Sequence, residues 1–372
     1  MTLPRSRYVH DGQEGVYHCF SRCVRRAFLY GFDRVTGCDF SHRKAWLVDR
    51  LRQLAAIFAI EVCAYAVMEN HYHLILRTRP DIVSSWSDYE VATRWLTLFP
   101  RHRTLHREPL PPCQEDIALL ASLPERIAEL RLRLSKLSWF MGRLNEFIAR
   151  AANKEDKVKG RFWESRFKCQ ALLDDAAIAA CMVYVDLNLI RAGLAATPEA
   201  SDFTSIQERI RAWFHETIST LPDNTAPQDS HTTSVPTDNP ASGNRAETFS
   251  SVPDSRTSVS ASWLCPISSQ SQRRGILKMT PAEYFDLVDK SGRVIRSDKR
   301  HSIDADLDPI LLRIGANPAA WIDTVCRFGY KFRLAAGLVS NLRDFAAQIG
   351  NRWLTGIAAA RTSFALSPQQ LT

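Results

Sequence analysis

A polar stretch late in the chain constrains the fold more than any other feature of the 372 residues. Between residues 217 and 271 there are 13 serines, 8 threonines and 6 prolines, but no lysine. A segment of this composition buries too little apolar surface to offset the entropy lost on ordering. We therefore predict a disordered linker over 217–271, a larger domain over 1–216 and a small helical domain over 272–372.

The part before the linker alternates between strand and helix patterns. β-forming residues over 15–23, 61–68, 72–77 and 167–173 predict four strands. Apolar residues at helical spacing predict helices over 41–58 and 136–152, and Asp174 begins a third that ends at Gly193. The order β-α-β-β-α-β-α is typical of an α+β fold, a ferredoxin-like split βαβ antiparallel sheet with one extra helix. Residues 81–135 do not fit this plan, and we predict a helical insertion there.

The part after the linker carries repeated helix signals. Thr280-Pro281-Ala282-Glu283 combines an N-cap, a first-turn proline and a capping-box glutamate. Asn317-Pro318 and Ser340 are further start signals. This part is therefore predicted to be helical.

Charge and cysteine content narrow the class of protein. The formal net charge is +8, which suits a polyanionic partner. No run of 18 apolar residues occurs, so we predict no membrane-spanning helix and no membrane partner. Nine cysteines are scattered without a CxxC pair, which predicts neither a disulfide framework nor a zinc ribbon. The N-terminus lacks the apolar core of a secretory signal, and the expected location is the cytoplasm.

Two histidines stand two residues apart on the third predicted strand. Side chains alternate along a strand, so His71 and His73 project from one face and Tyr72 from the other. Two imidazoles placed in this way can bind one divalent cation. Taken alone, the pair is interpreted equally well as two unrelated histidines, one at the surface and one buried.

A polar stripe lies on the last predicted helix of this part. Tyr184, Asn188 and Arg191 are spaced at i, i+4 and i+7, so they share one helix face. Together they offer a nucleophile, a neutral oxygen ligand and a phosphate clamp. The alternative from spacing alone is that Tyr184 is a half-buried core tyrosine.

Three segments together resemble one branch of the single-tyrosine HUH transposases, the REP-associated tyrosine transposases. They are Asn70-His-Tyr-His73, Gly160-Arg-Phe-Trp-Glu-Ser-Arg-Phe-Lys168 and Tyr184-Val-Asp-Leu-Asn-Leu-Ile-Arg-Ala-Gly193. The resemblance covers about residues 5–215. Two positions depart from the family pattern, because Leu189 replaces a proline and Tyr72 replaces an aliphatic residue.

The resemblance implies an HUH endonuclease fold that acts on single-stranded or hairpin DNA with Mg²⁺ or Mn²⁺. It implies that His71, His73 and Asn188 are metal ligands and that Tyr184 is the nucleophile. Attack by Tyr184 leaves a 5′-phosphotyrosine and a free 3′-OH. It also implies a nucleoid-associated location. The general base is not identified, and both a monomer and a homodimer remain open.

Basic residues around these segments are candidate DNA contacts. Cations interleaved with an aromatic residue over 161–168 are typical of backbone neutralisation with base stacking. The alternative is a solvated basic loop with its tryptophan in the core. The candidate residues are Arg22, Arg25, Arg26, Arg161, Trp163, Arg166, Lys168 and Arg191.

Three functions compete. The first is a transposase that cleaves and rejoins single-stranded DNA, and the second is a domesticated module that binds DNA or RNA hairpins without cutting. A binding module has no need of a nucleophile, so the tyrosine and histidines favour the enzyme. A water-using phosphodiesterase needs more acidic ligands, and the absence of a GxxxxGK[ST] sequence disfavours an ATP-driven reaction.

Overall fold

A computed structural model of the chain describes residues 4–24, 31–32, 37–219, 261–296 and 308–364. These residues form an α+β structure, as predicted. The strands are β1 (Gly15–Arg22), β2 (Ile60–Val67), β3 (His71–Thr78), β4 (Lys168–Leu172) and β5 (Ala335–Ala336).

The helices of the first part precede and follow the sheet strands in the predicted order. They are α1 (His42–Ile57), α2 (Pro80–Ser85), α3 (Asp88–Leu98), α4 (Gln114–Ala121), α5 (Pro124–Leu134), α6 (Leu137–Glu155), α7 (Asp175–Asp186), α8 (Asn188–Arg191) and α9 (Ser205–Ser219). Those of the second part are α10 (Pro281–Arg296), α11 (Asp308–Arg313), α12 (Trp321–Cys326), α13 (Phe328–Lys331), α14 (Val339–Gln348) and α15 (Ile357–Ser363). Within the described ranges, no helix is long and apolar enough to cross a membrane.

The five strands form one sheet in the order β2-β3-β1-β4-β5. The pairs β2–β3, β3–β1 and β1–β4 are antiparallel, and β5 runs parallel to β4. On one face, the Tyr72 hydroxyl donates to Asn145 of α6 at 2.5 Å. On the other, the ring of His73 contacts the ring of Tyr184 of α7. The sheet therefore lies between α6 and α7, and successive residues of β3 face different helices.

Local signals explain where several helices begin. The Asp174 carboxylate accepts from the Ala177 amide at 3.0 Å, so the predicted cap of α7 is confirmed. Thr280 and Glu283 exchange the two hydrogen bonds of a capping box at the start of α10. Ser41 precedes α1 as predicted, but its side chain makes no capping hydrogen bond.

The predicted helix over 174–192 is divided at Leu187. This residue has φ −90° and ψ 7°, so α7 ends at Asp186 and α8 begins at Asn188. The Arg191 amide still bonds to the Leu187 carbonyl, which keeps the two pieces nearly continuous. Gly193 follows with φ +69°, the left-handed conformation that its position after the helix requires.

The predicted linker differs from the structure at its end. Residues 220–260 lie outside the described residues, but the segment from 261 onwards packs against the sheet. Leu264 is buried and forms a parallel bridge to Val62 of β2. Arg77 of β3 donates to the backbone oxygens of Arg274 and Gly275 at 2.6 and 2.8 Å. A polar segment is ordered here because a buried arginine needs its carbonyl groups.

The residues after 272 are helical as predicted, but their core is continuous with that of the first part. Trp321 and Phe328 are buried, and the Tyr284 hydroxyl donates to Asp186 of α7 at 2.5 Å. The predicted boundary at 272 therefore does not separate two cores. The physical reason lies in α7, which is buried over 176–183 and needs apolar cover on the side away from the sheet.

Candidate active site

Four predicted side chains meet on the α7 face of the sheet. His71 and His73 lie on β3 with ring centroids 4.9 Å apart and ring planes at 85°. The Tyr184 ring lies 5.6 Å from that of His73, at 82°. The guanidinium of Arg191 lies over the Tyr184 ring, 4.7 Å from its centroid. The strand alternation and the helix spacing therefore bring these groups together as predicted.

Both histidines use Nδ1 for a contact inside the protein. Nδ1 of His71 lies 2.6 Å from Oδ1 of Asn70, and Nδ1 of His73 lies 2.9 Å from Nε2 of His18. Hydrogen bonds of this kind orient imidazole ligands in metal sites. No described residue hydrogen-bonds to Nε2 of either ring, so both Nε2 atoms can accept a ligand.

Tyr184 is half-buried between the sheet and the second part of the chain. The ring of Phe328 lies 6.0 Å from the Tyr184 ring. A methyl group added to Gly329 would lie 3.3 Å from the Tyr184 hydroxyl oxygen. Arg191 also donates from Nη2 to the Cys326 carbonyl at 2.5 Å. Residues from α12 to α13 thus form one wall of the site, which the sequence did not predict.

Burial controls the charge of the site. It lowers the pKa of His73 well below its usual value, with the charges of His18, His71 and Arg191 acting in the same direction. Burial and the charge of Arg22 lower the pKa of His71 to about 4. Both imidazoles are consequently neutral at pH 7, the form that binds metal.

The pKa of Tyr184, the candidate nucleophile, is raised above its usual value. Burial raises the pKa of Tyr184, although the charge of Arg191 and hydrogen bonds from Arg191 and Asn188 oppose this. The phenol is therefore protonated at neutral pH. Arg191 is the cation best placed to favour its ionised form.

The donor atoms fit a hard divalent cation in part. His71 and His73 offer two neutral imidazole nitrogens. Asn188 is buried and lies in hydrogen-bonding contact with Tyr184, and its amide nitrogen has no hydrogen-bond partner among the described residues. An amide presents an oxygen on rotation, which is a ligand atom that Mg²⁺ and Mn²⁺ accept. Elsewhere in the described chain, His102, Cys113 and Asp116 have ligand atoms within 4.8 Å of one another, but Asp116 already pairs with Arg101.

The predicted DNA contacts separate into three groups. Arg22 and Lys168 lie on the histidine face, at the positions opposite His71 and Phe20. Arg161 and Arg166 are exposed beside a cleft of about 430 Å³ between α6 and the loop before β4. The third group, Arg25 and Arg26, lies outside the described residues.

Trp163 is a core residue. It is 9% exposed, and its Nε1 donates to the Asn145 carbonyl at 2.9 Å. The rings of Tyr72 and Phe162 stand edge-on to it at 5.6 and 4.8 Å. The Trp163 ring therefore packs beneath the cleft. This agrees with the alternative interpretation of the sequence, a basic loop with its tryptophan in the core, and it does not support the stacking of bases on this ring.

Sequence reasoning missed His18 and Gln170. Both are buried on the histidine face, on β1 and β4. Alternation along β1 could have placed His18 on a defined face, but pairing with β3 was needed to show which one. A lone histidine in a strand gives no such signal.

Comparisons with known proteins give little further information. No protein-family model and no curated protein matches the chain. One solved structure that matches is a REP-associated tyrosine transposase bound to a REP hairpin. The identity is 12% and the TM-score 0.33, over 62% of this chain and 95% of that one. A likeness of this size carries no argument about the function of this chain.

Proposed function

We propose that this protein is a single-tyrosine DNA transposase of the HUH type. It would cleave and rejoin single-stranded DNA at hairpin repeats through a 5′-phosphotyrosine intermediate. The observation that carries the proposal is the meeting of Tyr184 with His73, His71 and Arg191 on one face of the sheet. Two of the three sequence segments that resemble the family supply these same residues.

The strand order supports the ferredoxin-like form of this fold. Four antiparallel strands in the order β4-β1-β3-β2 are joined by α1 and α6, which is the split βαβ arrangement. The extra helix α7 brings Tyr184 to the opposite face from α6. The histidines of a central strand and the tyrosine of a following helix are thereby brought within ring contact.

His71, His73 and Asn188 are the residues that would hold Mg²⁺ or Mn²⁺. When bound, the cation supplies polarisation of a phosphate oxygen and neutralises charge on the phosphodiester. The enclosed imidazoles favour this role, because they are neutral at pH 7 and no described residue hydrogen-bonds to their Nε2 atoms.

The protein's own groups account for the covalent step. The Tyr184 hydroxyl oxygen forms a bond to phosphorus, its proton is released, and the bond from phosphorus to the 3′ oxygen breaks. Arg191 stabilises the phenolate that develops, because its guanidinium lies over the ring. The released 3′ oxygen takes up a proton. The phosphotyrosine conserves the phosphodiester energy, so rejoining needs no ATP.

One observation favours a second function, hairpin binding without cleavage. Gly329 approaches the Tyr184 hydroxyl closely, and burial raises the pKa of this tyrosine. A tyrosine covered in this way is a poor nucleophile unless α13 shifts. In that case the basic surface would bind hairpins and the covalent step would not occur.

The decisive experiment is a search for a covalent adduct. The protein is incubated with a hairpin flanked by single-stranded DNA and Mn²⁺, and adducts are resolved on denaturing gels and mapped by mass spectrometry. Wild type should yield an adduct on Tyr184, and Tyr184→Phe should yield none while still binding the hairpin. Tyr330→Phe is the matched control, because Tyr330 is 78% exposed.

A metal titration separates the nucleophile from the cation site. Tyr184→Phe should bind Mn²⁺ as wild type does, whereas His71→Ala with His73→Ala should lose both cleavage and Mn²⁺ affinity. Hairpin binding without any adduct from wild type, under every divalent cation tried, would support the binding module. An adduct from Tyr184→Phe would show that another residue is the nucleophile.

A further inference from the structure

We propose that His18 and Gln170 form a positioning pair that sets the tautomer of His73, so that its Nε2 carries the lone pair that a metal ion requires. The proposal rests on the proposed function in one respect, the role of His73 as a ligand. The tautomer itself can be measured whether or not a metal binds.

The three side chains form a continuous row across the sheet. His18 Nε2 lies 2.9 Å from His73 Nδ1, and His18 Nδ1 lies 3.3 Å from Gln170 Oε1. The two imidazole rings are stacked, with centroids 5.1 Å apart and planes at 22°. His18, His73 and Gln170 are 2%, 5% and 3% exposed. Bulk water is therefore not available to replace these contacts.

Backbone pairing holds the row in register. His18 of β1 is directly opposite Gln170 of β4, and its neighbour Phe20 is directly opposite His73 of β3. Residues two apart on a strand share a face, so all three side chains point towards α7. Their alignment follows from the antiparallel ladder and does not need a ligand.

The direction of the hydrogen bonds follows from the end of the row. The Gln170 oxygen can only accept, so His18 carries its proton on Nδ1 and presents a lone pair at Nε2. That lone pair accepts the Nδ1 proton of His73. A neutral His73 then has its remaining lone pair on Nε2, directed away from the row and available to a cation.

Reversal of the amide would reverse the whole row. If the Gln170 nitrogen faced His18, it would donate to Nδ1, and His18 would donate from Nε2 to His73 Nδ1. His73 would then carry its proton on Nε2 and could not be a ligand. The orientation of the Gln170 amide thus decides whether Nε2 of His73 is a metal ligand or a hydrogen-bond donor. Gln170 does so from a different strand from either predicted metal-binding histidine.

The experiment combines tautomer and metal measurements on the full chain. ¹⁵N-labelled histidine reports by NMR which ring nitrogen of His73 is protonated, and Mn²⁺ affinity is measured by electron paramagnetic resonance. Wild type should show protonated Nδ1 on His73. Gln170→Glu keeps an oxygen acceptor on a side chain of the same length. It should preserve the His73 tautomer and the Mn²⁺ affinity. Gln170→Leu removes the acceptor, should mix the tautomers and should weaken Mn²⁺ binding about 10- to 100-fold.

Two controls distinguish this role from a structural one. Gln207→Leu makes the same change at another buried glutamine, outside the site, and should alter neither readout. If Gln170→Glu proves unstable, His18→Phe serves as a second variant and should release His73 from the Nδ1 tautomer. A wild-type His73 protonated on Nε2, or a Gln170→Leu variant with unchanged tautomer, would overturn the proposal. A wild type that shows the Nδ1 tautomer but binds no Mn²⁺ would instead overturn the metal site of the proposed function and leave the positioning pair supported.

Discussion

Nη2 of Arg191 lies 2.5 Å from the carbonyl oxygen of Cys326, while the same guanidinium lies over the ring of Tyr184. The cation that lies over the ring of the proposed nucleophile is therefore held by a residue far along the chain. An arginine serves both contacts at once because its guanidinium is planar and carries several donors.

Arg191→Lys should reduce adduct formation more than it reduces hairpin binding. A lysine ammonium cannot lie over the ring and also reach the Cys326 carbonyl with the same geometry. We expect the single-turnover rate of adduct formation to fall by roughly tenfold or more, which corresponds to at least about 1.4 kcal/mol. Arg327→Lys is the matched control, because that side chain is exposed and pairs with Asp323. Equal effects of the two substitutions would contradict a specific role for Arg191.

Gly329→Val should disturb Tyr184 directly. A Cβ at this position meets the Tyr184 hydroxyl oxygen at 3.3 Å, and the branched side chain adds two further carbon atoms beside this ring. We expect a loss of about 1–3 kcal/mol in the free energy of unfolding and a lower rate of adduct formation. Gly142→Ala in α6 is the contrasting variant, because a Cβ there meets no atom within 4 Å. It should stabilise the protein by about 0.5–1 kcal/mol, since glycine weakens a helix interior. Denaturant unfolding followed by circular dichroism measures both.

Arg161→Gln and Arg166→Gln should weaken DNA binding through lost phosphate contacts. Each should lower the slope of log affinity against log salt by about one. Trp163→Phe should leave that slope unchanged and lower stability by about 1 kcal/mol, because the Asn145 carbonyl loses its donor. Fluorescence anisotropy at several salt concentrations separates the two effects. A salt slope that changed only with Trp163→Phe would remove the cleft from the DNA-binding surface.

Asp186→Asn should change how stability depends on pH. Burial raises the pKa of Asp186 to about 6, although hydrogen bonds from Ser205 and Tyr284 oppose this. The folded pKa lies above the unfolded value, so the contribution of Asp186 is present below about pH 4 and is lost as the pH rises towards 6. The asparagine does not titrate. The free energy of unfolding of Asp186→Asn relative to wild type should therefore increase by about 2–3 kcal/mol between pH 4 and pH 7. A difference that stays constant over this range would show that Asp186 keeps an ordinary pKa.

The strands and the meeting of Tyr184 with His73 could be predicted because they depend on short-range periodicity. Alternation along β3 places His71 and His73 on one face of the sheet. Helical spacing places Tyr184 and Arg191 on one side of α7 and α8, and that side faces the two histidines. The division of the helix at Leu187 could not be predicted, since leucine favours a helix and no local breaker precedes Asn188.

Contacts between distant parts of the chain could not be predicted from the sequence. The packing of Leu264 against Val62 follows a polar stretch that resembles a linker throughout, and it depends on long-range contacts with β2 and β3. The wall formed by Phe328 and Gly329 likewise depends on how α12 and α13 pack against α7. A signal did exist in α7 itself, whose residues 176–183 are apolar on every side.

Parts of β2 and β4, the outer strands of the four antiparallel ones, pair with residues from beyond the polar stretch. Leu264 lies against β2, and Ala335–Ala336 extends the hydrogen bonding of β4. Unpaired strand edges are templates for association with other chains. A protein cut after residue 216 would expose free amide and carbonyl groups on both flanks. Its expected behaviour is self-association into oligomers or aggregates, detectable by light scattering, because the later residues pair with parts of both strand edges in the full chain.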